Sequence, residues 1–102
     1  SNLQKLSLRL TLLENVTEQI YRHVELQYLD LSWNQLTELP KEMSQLTNLR
    51  TLRLEANPLA DIPHVALRLP KLRRISLPLA FRKYRDAIRQ LYPHIQLFFP
   101  SA

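Results

Sequence analysis

Apolar residues recur along the chain at a fixed spacing. A period of 23 residues, with no insertion or deletion, aligns Leu3, Leu26, Leu49, Leu72 and Ile95. In each of the first four units, apolar residues also stand three and five positions after the first one. Residues two apart on a β-strand point to the same side of a sheet, so this spacing is typical of a short strand with one buried face. We predict strands centred near Leu6, Leu29, Leu52 and Ile75.

The second half of each unit has the spacing of a turn followed by a short helix. In the second unit the apolar positions are Leu36, Leu39 and Met43, and the first and third units repeat them. Pro40 and Pro63 are equivalent, at a place where a fixed φ and a missing N–H group are tolerated because a helix begins. Such a unit cannot bury its own apolar face, so it must stack on its neighbours. The sequence therefore predicts an α/β solenoid of parallel strands and short helical returns.

Two segments carry a recognisable consensus. Residues 26–36 read Leu-Gln-Tyr-Leu-Asp-Leu-Ser-Trp-Asn-Gln-Leu, and residues 49–59 read Leu-Arg-Thr-Leu-Arg-Leu-Glu-Ala-Asn-Pro-Leu. They resemble the leucine-rich-repeat family, and the Leu39-Pro40 and Ile62-Pro63 pairs that follow resemble its typical 23-residue intracellular type. The resemblance implies one domain over residues 1–102, with repeats starting near residues 3, 26, 49 and 72. It also implies a curved parallel sheet on the concave face and short helical returns on the convex face.

The sequence departs from the repeat at both ends. Thr11 and Ala80 replace the asparagine found in the middle units. Residues 78–102 are similar to the helical C-terminal caps of intracellular leucine-rich-repeat proteins. A helix from about residue 80 to residue 91 would turn one apolar face to the core, formed by Phe81, Tyr84, Ile88 and Leu91. No comparable cap precedes Leu3, so we expect preceding residues or another chain to cover the apolar end of the first unit.

Composition narrows the function classes. The 102 residues include no glycine and no cysteine, which excludes glycine-rich phosphate-binding loops, thiolate zinc sites and cysteine nucleophiles. No apolar run approaches the roughly 18 residues of a transmembrane helix, and no secretory signal pattern opens the sequence, so we expect no membrane partner. A chain without cysteine fits a reducing compartment. We expect an intracellular protein, in the cytoplasm or, for a bacterial effector, in the host cytosol.

The remaining residues assemble neither a catalytic nor a metal site. His23, His64 and His94 each lack a carboxylate or a second histidine at ligand spacing, and the serines lack the flanking glycines of a nucleophile elbow. Asn34 and Asn57 are best explained as scaffold, because a buried side-chain amide can pair the backbone groups that a turn leaves free. We expect no enzymatic activity, cofactor, metal ion or small-molecule substrate.

The outward positions of the strands carry side chains that the core does not dictate. They should line the concave face, and they include the aromatic residues and arginines that are enriched at protein interfaces. The candidate partner-binding residues are Tyr28, Asp30, Trp33, Arg53, Glu55 and Arg74.

Two of these candidates have alternative interpretations. Trp33 aligns with Leu10, Ala56 and Leu79 in an apolar stripe, but it could instead lie flat over its own turn or be covered by residues outside this sequence. Asp30 could instead form a cross-strand charge pair with a basic neighbour.

Charge is distributed unevenly along the chain. Residues 1–49 carry four basic and six acidic side chains, whereas residues 50–102 carry ten basic and three acidic ones. The basic end includes a cluster that either binds an anionic partner or forms the solvated face of the cap helix: Arg82, Lys83, Arg85 and Arg89. The sequence favours a protein-interaction module that binds a partner protein through the concave face. The alternatives are a nucleic-acid-associated adaptor that uses the basic end, and the targeting domain of a larger effector or enzyme.

Overall fold

Five short parallel strands lie side by side in chain order and form one face of the protein. The computed structural model describes residues 2–101. The strands are β1 Lys5–Ser7, β2 Tyr28–Asp30, β3 Thr51–Arg53, β4 Arg74–Ser76 and β5 Gln96–Phe98. The first four are centred where the 23-residue period predicts them, so that prediction is confirmed. Ser1 and Ala102, the outer limits of the predicted domain and cap, lie outside the described residues.

Short helices return the chain from each strand to the next. They are α1 Glu18–Tyr21, a 3₁₀ helix Lys41–Gln45, α2 His64–Leu67, a 3₁₀ helix Leu79–Tyr84 and α3 Arg85–Leu91. Pro40 and Pro63 directly precede a helix, as their spacing predicts. Helices this short are marginal alone in water. They depend on the side chains that they bury in the common core, which include Ile20, Met43 and Ala66.

The core is a stack of leucines whose burial increases away from the first repeat. Leu29 and Leu52 pair across neighbouring strands, and both are fully buried. Their equivalent in β1, Leu6, is only half-buried, although it packs against the same core. Within residues 2–101, the leucines of the first repeat are therefore less buried than their equivalents in the middle repeats.

Asparagine side chains join the second and third repeats to the repeat before each of them. Asn34 Oδ1 accepts hydrogen bonds from the backbone N–H groups of Thr11 and Leu13, at 3.0 and 2.9 Å, and Asn34 Nδ2 donates to the Leu8 carbonyl at 2.9 Å. Asn57, which is also buried, makes equivalent bonds one repeat later, to the Leu36 N–H group and the Leu31 carbonyl. The scaffold role predicted for both asparagines follows from these bonds.

The C-terminal cap is helical over residues 79–91, but it is not a single α-helix. Its first half is the 3₁₀ helix Leu79–Tyr84, and α3 follows it. Of the four residues predicted to face the core, Phe81 and Ile88 are buried, whereas Tyr84 and Leu91 are exposed. The prediction is wrong for these two: the Tyr84 ring contacts the Phe81 ring, with centroids 6.2 Å apart, but remains 40% exposed, and Leu91 is 65% exposed. At the other end Tyr92, not Leu91, packs on the core.

The last strand pairs one residue out of phase with the 23-residue period. In the three strand pairs from β1 to β4, each residue pairs with the one 23 positions later. Ile75 in β4, however, pairs with Leu97 in β5, which is 22 positions later. The predicted alignment of Ile95 with Leu72 is therefore wrong by one residue. Strand alternation decides this register, because it brings Ile95, Leu97 and Phe99 onto the same, inward side of the sheet.

Leu52→Ala should lower the free energy of unfolding by about 2 to 5 kcal/mol, because it leaves a cavity in the middle of the leucine stack. Urea unfolding followed by circular dichroism measures this change. Leu6→Ala is the matched control at the equivalent position of β1. It should cost about 1 kcal/mol, since its side chain is already partly solvated. Equal losses for the two variants would contradict the gradient of burial.

Asn57→Ala should destabilise the protein by about 1 to 3 kcal/mol, because the backbone groups that the amide pairs would remain buried without a partner. Asn15→Ala, at an exposed position of the first repeat, serves as the control and should change stability by less than about 0.5 kcal/mol. Unfolding curves that coincide for Asn57→Ala and the unmodified chain would show that the asparagine bonds do not hold the repeats together.

Candidate partner-binding face

The concave face consists of the outward residues of the strands and the residues that continue them into the turns. The structure places the six candidate residues of this face at very different depths. Trp33 and Arg74 are exposed, and Tyr28 and Arg53 are partly buried. Asp30 and Glu55, however, are only 5% and 4% exposed. The expectation that both carboxylates lie on the surface is therefore not met.

A single arginine covers both buried carboxylates. Arg53 donates through Nε to Glu55 Oε2 at 3.1 Å, and its Nη2 contacts the same oxygen. Its Nη1 lies 3.9 Å from Asp30 Oδ2 on the neighbouring strand, where the two residues are in register. The side chain of Arg53 is 34% exposed, so the guanidinium forms part of the surface above the two acids. The cross-strand charge pair considered for Asp30 is present.

The electrostatic consequences of this cluster follow from its geometry. The hydrogen bond to Glu55, followed by an interaction with Tyr28, raises the pKa of Arg53 above its ordinary value, so the guanidinium stays charged. Two carboxylates share this one cation, and within residues 2–101 the second oxygen of Glu55, Oε1, is buried without a hydrogen bond. Arg53 is therefore the group that compensates the buried negative charge of Glu55.

Ser32 is a member of this cluster that the sequence reasoning did not single out. Its Oγ and its backbone N–H both donate to Asp30 Oδ1, at 2.6 and 2.9 Å. A serine two residues after an aspartate on the same strand face is the signal that could have indicated it, because alternate residues share one side. These bonds turn Asp30 inward and leave it unable to extend from the surface.

Trp33 lies at the edge of the concave face on a strained backbone. Its φ of 58° lies in the left-handed region, as does the φ of Leu10 and Ala56 at the equivalent positions of the neighbouring repeats. This conformation costs a non-glycine residue about 1 to 2 kcal/mol. The bonds of the following asparagine hold the turn in place, since Asn34 Nδ2 donates to the carbonyls of Leu31 and Ser32.

The environment of Trp33 contains one partner that sequence alone did not indicate. The Arg9 guanidinium carbon lies 6.0 Å from the centroid of the indole ring, within the range of a cation–π contact. Trp33 remains 37% exposed, and Leu10 beside it in the stripe is 64% exposed. Ala56 is partly buried and Leu79 is exposed, so the predicted stripe is an accessible apolar surface.

The cluster of basic residues at the C-terminal end lies on the two helices of the cap. Arg82, Lys83, Arg85 and Arg89 are all exposed. Arg85 forms an ion pair of 3.6 Å with Asp86, and the Lys83 ammonium lies 5.3 Å from the centroid of the Tyr84 ring. Their positions match a solvated helix face, one of the two interpretations of this cluster.

The histidines occupy unrelated environments. His23 is partly buried, His64 Nδ1 lies 2.8 Å from the Tyr92 hydroxyl, and His94 is exposed. Residues 2–101 contain no group of three or more histidine, cysteine or carboxylate side chains able to hold a metal ion. In the same part of the chain, none of the helices has the length and apolar character needed to cross a membrane.

Comparisons with known proteins agree with this architecture. A family model described as "Leucine rich repeat" matches residues 1–59. A solved leucine-rich-repeat protein of Leptospira interrogans is similar over 95% of this chain, with 33% sequence identity and a TM-score of 0.78. The match covers 25% of that protein, so this chain spans about a quarter of its length. No curated protein matches the chain in sequence.

Arg53→Gln should lower the free energy of unfolding by about 2 kcal/mol, because two buried carboxylates lose their cation. Solvent at the guanidinium keeps this effect below that of a fully buried pair. Arg50→Gln, an exposed arginine three residues earlier, removes the same charge and should change stability by less than about 0.5 kcal/mol. The combination Arg53→Gln, Asp30→Asn and Glu55→Gln should recover most of the loss in a urea titration. A triple variant as unstable as Arg53→Gln would mean that lost packing, not uncompensated charge, causes the effect.

Proposed function

Because this chain belongs to the leucine-rich-repeat family, whose domains commonly act as protein-interaction modules, we propose that it binds a partner protein through its concave face. The observation that carries this proposal is the exposure of Trp33 beside Leu10 on a strained turn. The core does not need either side chain, since Leu31 and Leu36 are already fully buried beneath this part of the face. An accessible tryptophan next to an arginine is the combination most enriched among residues that dominate binding energy.

The rest of the face supports the same function. Arg53 is held in place by two acidic residues, and Tyr28 precedes one of them on the adjacent strand. An arginine that is already ordered loses little side-chain entropy when a partner binds it, so more of the contact energy contributes to affinity. Asp30 and Glu55 take part indirectly in this proposal: they position Arg53 and do not touch the partner.

The proposed module acts either alone or as the targeting part of a longer protein. The match to a quarter of the Leptospira protein shows that similar repeats occur within a larger chain. In such an arrangement the repeats would select the partner, and any chemistry would belong to other domains.

Trp33→Ala and Tyr28→Ala should each weaken binding of the partner by about 1 to 4 kcal/mol while leaving the fold intact. The partner is first isolated by affinity capture on the immobilised unmodified chain, and every captured protein is then tested for retention by each variant. Isothermal titration calorimetry with the purified partner then gives the affinity of each variant. Circular dichroism of each variant verifies that the repeats remain folded.

The combined replacement of Arg82, Lys83 and Arg85 with alanine is the control, because these charges lie on the cap. It should weaken binding by less than about 0.5 kcal/mol. If this triple variant abolishes capture and Trp33→Ala retains every captured protein, the concave-face proposal is wrong. A strong loss of binding with added salt would then favour a nucleic-acid-associated adaptor that uses the basic end.

A further inference from the structure

Exposed acidic side chains lie outside the concave face of the described chain. Seven of its nine acidic residues lie on the turns and helical returns, outside the concave face: Glu14, Glu18, Glu25, Glu38, Glu42, Asp61 and Asp86. The other two, Asp30 and Glu55, are the buried pair beneath Arg53. A partner that contacts the concave face therefore meets almost no carboxylate surface.

The accessible charges of the concave face are positive. Lys5 and Arg74 are exposed on outward positions of β1 and β4, and Arg9 is exposed above Trp33. Arg53 lies between them and is one-third exposed. Lys5 and Arg74 are three strands apart in register, a separation of roughly 14 Å at the usual strand spacing. The positive groups are thus spread across the concave face and do not form one compact cluster.

Because Asp30 and Glu55 are buried, a partner at the concave face meets exposed basic side chains and no exposed acidic ones. Each buried carboxylate takes its interactions from within the chain, Asp30 from Ser32 and Glu55 from Arg53. The guanidinium of Arg53 is held by its acidic neighbours while part of it faces solvent. Because Arg53 is paired with these two acids, the positive charge available to a partner comes from Lys5, Arg9 and Arg74, which are exposed.

We propose that the partner presents an acidic peptide segment to this face, with aspartate or glutamate side chains next to an apolar residue that contacts Trp33. This inference rests on the proposed function and specifies the chemistry of its partner. A basic segment would meet three exposed cations, Lys5, Arg9 and Arg74, and no exposed carboxylate on this face. Nucleic acid fits less well, because phosphate binding relies on a dense row of cations and base binding on open aromatic rings. Here two carboxylates lie directly behind Arg53, and Arg9 lies over the Trp33 ring.

A random library of 12-residue peptides displayed on phage, selected on the immobilised chain, tests the proposal. The enriched peptides should carry a net negative charge, with acidic residues beside an aromatic or aliphatic one. A representative peptide is then synthesised, and its affinity is measured by fluorescence anisotropy. Replacing Lys5, Arg9 and Arg74 together with glutamine should weaken its binding about tenfold, since each exposed charge contributes a small electrostatic attraction.

The control removes the same number of charges from the cap, through glutamine at Arg82, Lys83 and Arg85. This variant should bind the peptide within about twofold of the unmodified chain. The three replaced residues of the concave face are exposed, so both triple variants should remain folded, which circular dichroism verifies. The same anisotropy measurement with a 12-nucleotide single-stranded RNA is run in parallel.

The possible outcomes separate this inference from the proposed function. Enriched peptides that are neutral or basic, and that lose binding with Trp33→Ala, overturn the acidic-segment inference and leave the concave-face proposal standing. Peptides whose binding depends only on the cap charges overturn both. An RNA that binds more tightly than any selected peptide, and depends on Lys5, Arg9 and Arg74, assigns the face to nucleic acid. A selection that enriches no peptide above the bare surface overturns peptide recognition by this face.

Discussion

The structure depends on one kind of hydrogen bond, from the asparagine side chain of one repeat to the backbone turn of the repeat before it. The Asn34 amide accepts a hydrogen bond from the Leu13 N–H group and donates one to the Leu8 carbonyl, both in the preceding repeat. Asn57 does the same one repeat later, for the Leu36 N–H group and the Leu31 carbonyl. A turn buried without these bonds would carry unpaired backbone groups, which is costly in a dry interior. The turns of the first and second repeats therefore acquire these hydrogen bonds only when the following repeat is in place, and stability is shared between neighbours.

The 23-residue spacing that aligns the asparagines also determines which side chains lie beside one another on the concave face. Because β2 and β3 are in register, Asp30 is placed beside Arg53, and the two-residue alternation places Glu55 on the same side. The acids are then turned inward and the arginine remains at the surface. A face with two acids among its six candidate residues thus exposes almost no carboxylate, because both acids are buried beneath Arg53.

Sequence reasoning succeeded where a residue's environment is set by the repeat itself. The burial of Leu29 and Leu52 and the scaffold role of Asn57 follow from the 23-residue period, and the structure confirms them. It failed where the environment depends on which side-chain conformation is adopted. The depth of Glu55 depends on Arg53 folding over it, and Tyr84 is exposed although its spacing from Phe81 predicts a buried position. No periodicity encodes either event.

The left-handed turn position has a consequence for how such a protein can diversify. Leu10, Trp33 and Ala56 share this backbone conformation although their side chains differ greatly in size, and all three are unbranched at Cβ. Branching at Cβ is the feature that the left-handed region tolerates least. Since the side chain points away from the core, the position accepts almost any unbranched residue without disturbing the asparagine bonds beneath it. Single substitutions at this column can therefore change the surface chemistry of the face at little risk to folding.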